Sequence, residues 1–272
     1  LEQLGLANGA LATLRLMIAR PAGLIIVAGP HDSGKTTTLY SMLCYRNDES
    51  VSVVTIEDPA RHQVALVQQT VIRAGAEPNY AARIRSMMRQ DADLMLISEL
   101  DDKETAEAVL AAAGDGHQIF ATVKANCAVA ALTRMLELGI TPRAMAGKIT
   151  GIVSQRLLRR LCGSCRQPYA PAKAERQLLG ITSQKPKSLY RPGACEECDF
   201  VGYKGRIGIF EVLKIGREID EMIARAAICH DVNRAAREAG FKILADDAIR
   251  LVLAGETSLS EASRVVDLTD RF

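Results

Sequence analysis

Residues 23–38 read GLIIVAGPHDSGKTTT, and this stretch decides the fold. Its first part, Gly23 to Ala28, is a short apolar run that predicts a fully buried strand. Its last part contains Gly34, Lys35 and Thr36 and opens a segment that can form a helix. A strand, a glycine-rich turn and a helix in this order match the phosphate-binding pattern G-x-x-x-x-G-K-[ST]. The stretch therefore predicts a phosphate site at the start of this helix.

The chemistry of that site explains why each residue type is needed. Gly29 and Gly34 allow positive φ angles and a close approach of backbone N–H groups to phosphate oxygens. Lys35 is predicted to contact the β- and γ-phosphates of ATP, and the Thr36 hydroxyl is predicted to bind Mg²⁺. The other loop residues expected to contact the nucleotide are Pro30, Ser33 and Thr37. The alternative interpretation is an ordinary strand-to-helix turn that carries a surface lysine.

Acidic residues follow two more predicted strands. Residues 51–56 form a β-branched run that ends at Glu57 and Asp58, and residues 93–97 form an apolar run that leads to Glu99. Ligands bind at the carboxyl ends of strands in open α/β sheets. Glu99 is therefore expected to orient or deprotonate the attacking water, while Glu57 and Asp58 are expected to polarise the Mg²⁺ shell.

His117 opens the next predicted strand, residues 118–123, after a glycine-rich turn. A role in sensing the γ-phosphate and a purely structural role both remain open for it. Residues 148–161 are predicted to form a helix with a basic end, and Asp231 is predicted to cap a later helix that Gly240 ends. The alternation of strands and helices predicts an α/β fold with a largely parallel sheet and helices on both faces.

The seven cysteines include two C-x-x-C pairs, Cys162 with Cys165 and Cys195 with Cys198. Four thiolates in two such turns can complete a tetrahedral Zn²⁺ site, and the zinc would be structural because no position is left for water. Residues 166–194 separate the pairs, which is longer than the usual spacing of roughly 15–20 residues. Unliganded thiols, a disulfide and a redox pair are the alternatives.

Composition divides the chain into three predicted parts: a nucleotide-binding core at 1–161, a tetracysteine subdomain at 162–205 and a helical subdomain at 206–272. The 272 residues are 48% hydrophobic, which is enough for a core. A net charge of +2, 4% aromatic residues and no tryptophan argue against a nucleic-acid surface. The apolar runs are too short to span a bilayer. Because the sequence starts at Leu1, we expect it to be the C-terminal part of a longer protein.

Together, these motifs resemble the secretion ATPases of type II secretion and type IV pilus assembly over nearly the whole chain. The resemblance rests on a phosphate loop, an aspartate box, a Walker B strand, a histidine box, the cysteine pairs and several short motifs. Their positions are residues 29–38, 55–59, 84–85, 88–91, 94–99, 102–107, 116–117, 155–157, 162–165, 195–198, 206–211, 255–258 and 261. The tetracysteine insert resembles the assembly and secretion branch, since retraction motors of the family generally lack it.

The resemblance implies a RecA-like ATPase core that works in a hexameric ring. It also implies a cytoplasmic protein that couples ATP hydrolysis to the polymerisation of pilin or pseudopilin. The implied partners are an inner-membrane platform protein and a membrane adaptor, with no nucleic acid, and the implied ligands are ATP, Mg²⁺ and Zn²⁺. In the family, a domain that precedes this region packs against the nucleotide and supplies arginines.

Several positions depart from the pattern of the family. Ser98 replaces the Walker B glycine, Asp101 replaces the arginine after the glutamate, and Lys124 replaces the second histidine of the histidine box. The aspartate box ends in Arg61 where an acid is usual, and Asp32 brings a negative charge to the phosphate loop, which weakens phosphate binding. Two further hypotheses therefore stay open: a nucleotide-binding subunit that hydrolyses ATP slowly, and a RecA-type nucleic-acid motor with a zinc ribbon.

Overall fold

The computed structural model describes residues 1–60, 62–72, 79–182 and 188–270, so Arg61 lies outside the described residues. The strands are β1 (Gly23–Ala28), β2 (Val53–Glu57), β3 (Val67–Val71), β4 (Leu94–Ile97), β5 (Gln118–Val123), β6 (Ile149–Leu161), β7 (Gln167–Tyr169), β8 (Leu189–Arg191) and β9 (Tyr203–Lys214). The α-helices are α1 (Asn8–Ile18), α2 (Lys35–Arg46), α3 (Tyr80–Met88), α4 (Lys103–Gly114), α5 (Ala128–Glu137), α6 (Pro142–Met145), α7 (Lys173–Leu178), α8 (Arg217–Ala224), α9 (Cys229–Glu238), α10 (Leu244–Leu253) and α11 (Leu259–Val265). Short 3₁₀ helices lie at Glu2–Leu4 and Glu196–Cys198.

A seven-stranded sheet forms the centre of the molecule, in the order β3-β2-β4-β5-β1-β6-β9. Its strands pair in parallel from β3 to β6, and β9 runs antiparallel to β6 at one edge. Every residue of β1, β2, β4 and β5 is buried. A parallel sheet is covered on both faces, which explains why these strands are continuous apolar runs. The predicted α/β fold with a largely parallel sheet is confirmed.

Alternate residues of β1 pack into two different hydrophobic cores. Leu24 and Ile26 lie in the core formed with α3, α4 and α5. Ile25 and Val27 lie in the core formed with α1 and α2. Successive side chains of a strand point to opposite faces, so both helical layers hold β1 and the loop that follows it. Among the described helices, none has the length and hydropathy that crossing a bilayer requires.

The segment predicted as a helix at residues 148–161 is a strand, so that prediction is wrong. It forms β6, which pairs with β1 on one side and with β9 on the other. The buried residues Ile149, Ile152 and Val153 are β-branched and favour a strand in the middle of a sheet. The arginines at the end of the segment do not mark the end of a helix; they lie where β6 extends beyond the core of the sheet.

The start of α9 also differs from its prediction. The helix begins at Cys229 with Ile228 as its N-cap, so the prediction that Asp231 is the N-cap is wrong. Asp231 lies in the first turn, where its charge complements the positive end of the helix, and it pairs with Arg234 at 2.9 Å. Gly240 follows the end of the helix with a φ of 91°, as a C-terminal glycine should.

The outer parts of β6 and β9 support a third hydrophobic core. Leu158 and Ile209 pack there with residues of α10 and α11. Residues 162–202 leave the sheet at the end of β6 and return at the start of β9, where Leu161 pairs with Tyr203. The proposed boundary between residues 205 and 206 falls inside β9, so the edge strand of the sheet contains residues from both predicted subdomains.

Candidate functional site

The phosphate loop turns directly from β1 into α2. Gly29 has a φ of 158° and Gly34, the N-cap of α2, has a φ of 89°. A Cβ at Gly29 would lie 2.7 Å from the carbonyl oxygen of Gln155, and a Cβ at Gly34 would lie 2.9 Å from Gln155 Nε2. Both glycines are therefore required by backbone conformation and by a close approach to β6.

Lys35, the first residue of α2, points back over the loop. Its Nζ donates hydrogen bonds to the carbonyl oxygens of Gly29 at 2.9 Å and Pro30 at 2.8 Å. Desolvation lowers the pKa of the ammonium. The charges of the Glu99 and Asp32 carboxylates act in the other direction and offset only part of this effect. The ammonium thus lies at the mouth of the loop, where a phosphate can compete with the carbonyl oxygens for its protons.

Ser33 stabilises the same turn from within. Its side chain is buried, and its Oγ donates to the carbonyl oxygen of Pro30 at 2.9 Å. Ser33 and Pro30 therefore shape the loop through contacts inside it. Direct contact with a nucleotide remains a prediction for both residues.

A cavity of about 790 Å³ lies beside the loop. Its walls include Thr36 and Thr37 at the start of α2, Asp58 after β2 and Glu99 after β4. These residues meet because β1, β2 and β4 are parallel and their carboxyl ends share one edge of the sheet. Hydroxyl and carboxylate oxygens are ligands that Mg²⁺ prefers, so Thr36 and Asp58 fit a magnesium ion beside bound phosphates.

Glu57 lies at the same edge, but its carboxylate is held by other side chains. It accepts hydrogen bonds from Tyr40 Oη at 2.5 Å, from Thr55 Oγ1 at 2.6 Å and from Gln69 Nε2 at 3.2 Å. The residue is 2% exposed. Glu57 thus joins β2 to α2 and β3, and it contributes charge to the cavity rather than an available base.

Glu99 forms an ion pair that sequence reasoning did not include. Its Oε1 lies 3.1 Å from the Nζ of Lys124, and the same ammonium lies 3.5 Å from Asp101 Oδ2. The hydrogen bond with Glu99 raises the pKa of Lys124, because it favours the charged ammonium. The predicted catalytic carboxylate and the residue that departs from the family pattern are therefore direct partners.

His117 does not reach this cavity. It precedes β5, so it lies at the amino-terminal edge of the sheet, and its Nδ1 lies 2.7 Å from the carbonyl oxygen of Ala92. β5 has six residues, and a rise of about 3.3 Å per residue separates its two ends by roughly 20 Å. The geometry favours the structural alternative for His117 over contact with a γ-phosphate.

Gln155 belongs to a motif that supports the family resemblance, at residues 155–157, but its role in the site was not predicted. It is 2% exposed, and its Nε2 donates to the carbonyl oxygen of Ser33 at 2.7 Å, which holds the phosphate loop against β6. The contact was not predicted, because this segment was expected to form a helix and not a strand beside β1. The β-branched residues at Ile149, Thr150, Ile152 and Val153 were the signal that could have revealed a strand next to β1.

The four cysteines of the two C-x-x-C turns come together outside the sheet. Their sulfur atoms all lie within 4.8 Å of one another, with separations of 3.8 Å for Cys162–Cys195 and 3.7 Å for Cys165–Cys198 and Cys195–Cys198. A tetrahedron with zinc–sulfur bonds of about 2.3 Å has sulfur atoms about 3.8 Å apart. The arrangement therefore fits a zinc ion, and these separations exclude a disulfide, whose sulfur atoms lie about 2.05 Å apart.

The backbone around Cys198 also suits a thiolate. The Gly202 N–H donates to Cys198 Sγ at 3.2 Å, and such donors stabilise negative charge on sulfur. The carbonyl oxygen of Cys165 lies 2.0 Å from where a Cβ of Gly193 would be, so the two turns approach too closely for any larger residue there. The insert is thus built around the sulfur cluster.

Curated proteins of bacterial secretion and pilus systems are similar to this chain. The type II secretion system protein E of Pseudomonas aeruginosa is 36% identical over 265 residues, which cover 97% of this chain and 53% of that protein. The type IV pilus assembly ATPase TfpB of Acinetobacter baylyi is 35% identical over 270 residues, which cover 98% of this chain and 46% of that protein. The chain thus spans about half the length of the curated relatives it matches.

A solved structure shares the fold. The pilus retraction motor PilT with bound ADP superposes with a TM-score of 0.71 at 23% identity, covering 100% of this chain and 68% of that one. The sequence pattern of one family, described as type II/IV secretion system protein, matches residues 1–264. Together with the identity to the curated relatives, this match shows that the chain belongs to the type II/IV secretion system protein family.

Proposed function

We propose that this chain is the ATP-hydrolysing core of a type II secretion or type IV pilus assembly machine, whose hydrolysis drives the polymerisation of pseudopilin or pilin subunits. Its family and the names of its relatives support the machine. One observation supports the reaction: the phosphate loop with Lys35 and the Glu99 carboxylate line the same cavity. Hydrolysis of a terminal phosphate requires a phosphate-binding group and a water-orienting group on two sides of one such space.

In this mechanism, the backbone N–H groups of residues 31–34 and of the start of α2 bind the β- and γ-phosphates. Lys35 exchanges its two carbonyl partners for phosphate oxygens. Glu99 accepts a hydrogen bond from the attacking water and directs its oxygen towards the γ-phosphorus, so that the bond to the β-phosphate oxygen breaks and ADP and phosphate form. Mg²⁺, when bound, neutralises charge on the phosphates, and Thr36 and Asp58 are the residues that would hold it.

We further propose that the four cysteines hold a structural zinc ion. We also propose that the chain has three subdomains, at residues 1–161, 162–205 and 206–272. The protein would act as a hexamer at the cytoplasmic side of the inner membrane, on a platform protein and a membrane adaptor. Its place in the family supports these proposals. A net charge of +2 supports the view that nucleic acid is not a partner.

The central experiment is Mg²⁺-dependent release of phosphate from ATP by purified full-length protein and by its Glu99→Gln variant. Glutamine keeps the size of the side chain and removes the basic oxygen. We expect turnover to fall by about 10²- to 10⁴-fold. The dissociation constant of Mg·ATP, measured by calorimetry, should stay within about threefold of the wild-type value, because the phosphate loop is unchanged.

Glu107→Gln is the matched control, since Glu107 is an exposed residue of α4 that pairs only with Lys103 among the described residues. It should keep wild-type turnover. Unchanged hydrolysis in Glu99→Gln would remove Glu99 from the role, and wild-type protein that binds no Mg·ATP would overturn the proposed function.

A second candidate function is a nucleotide-gated subunit that binds ATP and hydrolyses it slowly. The ion pair between Glu99 and Lys124 favours it, because a base held by an ammonium is less available to water. The same measurement separates the two functions: saturable Mg·ATP binding with negligible phosphate release by full-length protein would support the slow subunit.

A further inference from the structure

Lys124 occupies a position between the two halves of the phosphate site. It follows β5 directly, and β5 lies between β1 and β4 in the sheet. The phosphate loop follows β1, and Glu99 follows β4. Lys124 therefore lies at the same edge of the sheet as the loop and contacts the predicted catalytic carboxylate.

Two ammonium groups and three carboxylates share this part of the site. The charges of Glu99, Asp101, Asp32 and Lys124 all act on the ammonium of Lys35. Lys35 donates to carbonyl oxygens of the loop, and Lys124 pairs with Glu99 and Asp101. Each cation thus has a partner that a phosphate can replace.

The ion pair of Lys124 with Glu99 is weaker than the contact that a γ-phosphate would make with the same ammonium. The Lys124 side chain is 38% exposed, so its ion pair with the Glu99 carboxylate is screened by water and weak. A γ-phosphate carries more negative charge than a carboxylate and offers three acceptor oxygens. ADP ends at the β-phosphate and lacks this group.

We propose that Lys124 senses the γ-phosphate: it pairs with Glu99 in the absence of a triphosphate, moves to the γ-phosphate when ATP binds, and thereby releases Glu99 to orient water. This inference rests on the proposed function of the site. Asp101 keeps the ammonium near the cavity during the exchange, because it lies within reach of Lys124 in the resting arrangement. Glu99 is thus restrained until a triphosphate is present.

The test compares the dissociation constants of a non-hydrolysable Mg·ATP analogue and of Mg·ADP in wild type, Lys124→Ala and Lys124→Arg. In wild type the triphosphate should bind tighter than the diphosphate by about tenfold or more, the effect of one charge-assisted contact. Lys124→Ala should lower this ratio by about tenfold, with little change in ADP binding, because Lys35 keeps its own contact with the phosphates. Lys124→Arg, which keeps the charge, should preserve the ratio and most of the turnover.

Lys103→Ala is the matched control, since Lys103 is an exposed lysine whose partner is Glu107 on its own helix. It should leave the ratio unchanged, and thermal melting should show that each variant folds. A ratio in Lys124→Ala within about twofold of wild type would overturn the inference. That result would leave the proposed function intact if wild type still hydrolyses ATP, whereas absence of nucleotide binding in wild type would overturn both.

Discussion

The phosphate site and the cysteine cluster lie along the same strand but are built in opposite ways. In the cluster, four like side chains converge on one point at separations that already match a metal ion. In the phosphate site, unlike charges pair with one another, as Lys124 does with Glu99, and Lys35 bonds the loop itself. The first site thus consists of like groups that one ion can satisfy, whereas in the second a ligand would replace contacts that the side chains make with the protein.

Strand β6 connects these two regions. Gln155 near its middle holds the phosphate loop, and Cys162 follows its last residue. Between them, Arg159 donates to Glu261 of α11 through its backbone N–H and its guanidinium. The difference between the two sites can therefore be tested by changing one end, the other end, or the contact in the middle of the same strand.

The largest effect is expected from the sulfur cluster. Cys198→Ser should lower the metal content from about one zinc per chain to none and unfold the insert, because structural zinc sites contribute about 10–16 kcal/mol of apparent binding energy in small domains. Nucleotide affinity should stay within about twofold, since Cys198 makes no contact with the phosphate cavity. Elemental analysis, thermal melting and calorimetry measure the three quantities.

Cys44→Ser is the control for that substitution, as Cys44 is an exposed cysteine of α2 outside the cluster. It should keep the metal. If the wild-type protein contains no zinc, or if Cys198→Ser retains it, the four cysteines are not the metal site that the comparison assumes.

A smaller effect is expected in the middle of β6. Glu261 is 1% exposed and accepts hydrogen bonds from Arg159 and Arg264. Because both arginines are about half exposed, Glu261→Gln should lower the free energy of unfolding by about 2–3 kcal/mol. Glu256→Gln, which alters a more exposed pair with Arg160, should cost less than about 1 kcal/mol. Chemical denaturation measures the free energy of unfolding of each variant. Equal losses in the two variants would contradict the view that the buried Glu261 stabilises the fold more than Glu256 does.

The pH dependence of Glu261 follows from the same contacts. Burial raises the pKa of Glu261, but the hydrogen bonds from the two arginines and the Arg159 N–H together outweigh this and hold the pKa at about 2, against 4.5 for an ordinary glutamate. An unfolded chain therefore binds this proton first as the pH falls. The stabilisation is fully present above pH 4.5, is lost as the pH falls towards 2, and should be absent from the pH profile of Glu261→Gln.

The smallest effect is expected in the phosphate loop. Asp32 has a φ of 56°, which glycine adopts without strain, and its carboxylate acts on the Lys35 ammonium. Asp32→Gly should raise the affinity for Mg·ATP about fivefold, since two charges about 4 Å apart in water interact by about 1 kcal/mol. Asp32→Asn removes the charge and tolerates the same φ. If the asparagine variant gains nothing, the electrostatic explanation fails.

Much of the fold could be predicted because its central strands are buried on both sides. β1, β2 and β4 appear in the sequence as mainly apolar runs that lead to a glycine or to acids, and parallel pairing brings those ends together. The phosphate loop, Asp58 and Glu99 follow from that rule. The cysteine cluster follows from residue type and from the two C-x-x-C pairs, although the segment between them is longer than usual.

Other features of the fold and the site were not predicted, because they depend on contacts between residues that are distant in the sequence. Glu57 is held by Tyr40 and Gln69, which no local pattern connects to it. Glu211 accepts N–H groups at the starts of both α5 and α10, elements far apart in sequence. His117, by contrast, could have been excluded from the site, because it precedes its strand while ligands bind where parallel strands end.

The pairing of Leu161 with Tyr203 has a consequence for how such chains can vary in length. Residues 162–202 depart from and return to neighbouring positions on adjacent antiparallel strands. A tight hairpin turn could join the same two positions without shifting any strand of the sheet. The length of the cysteine-bearing excursion can therefore change without shifting the register of β6 and β9, whereas the core that it shares with α10 through Leu179 and Leu189 would have to be repacked.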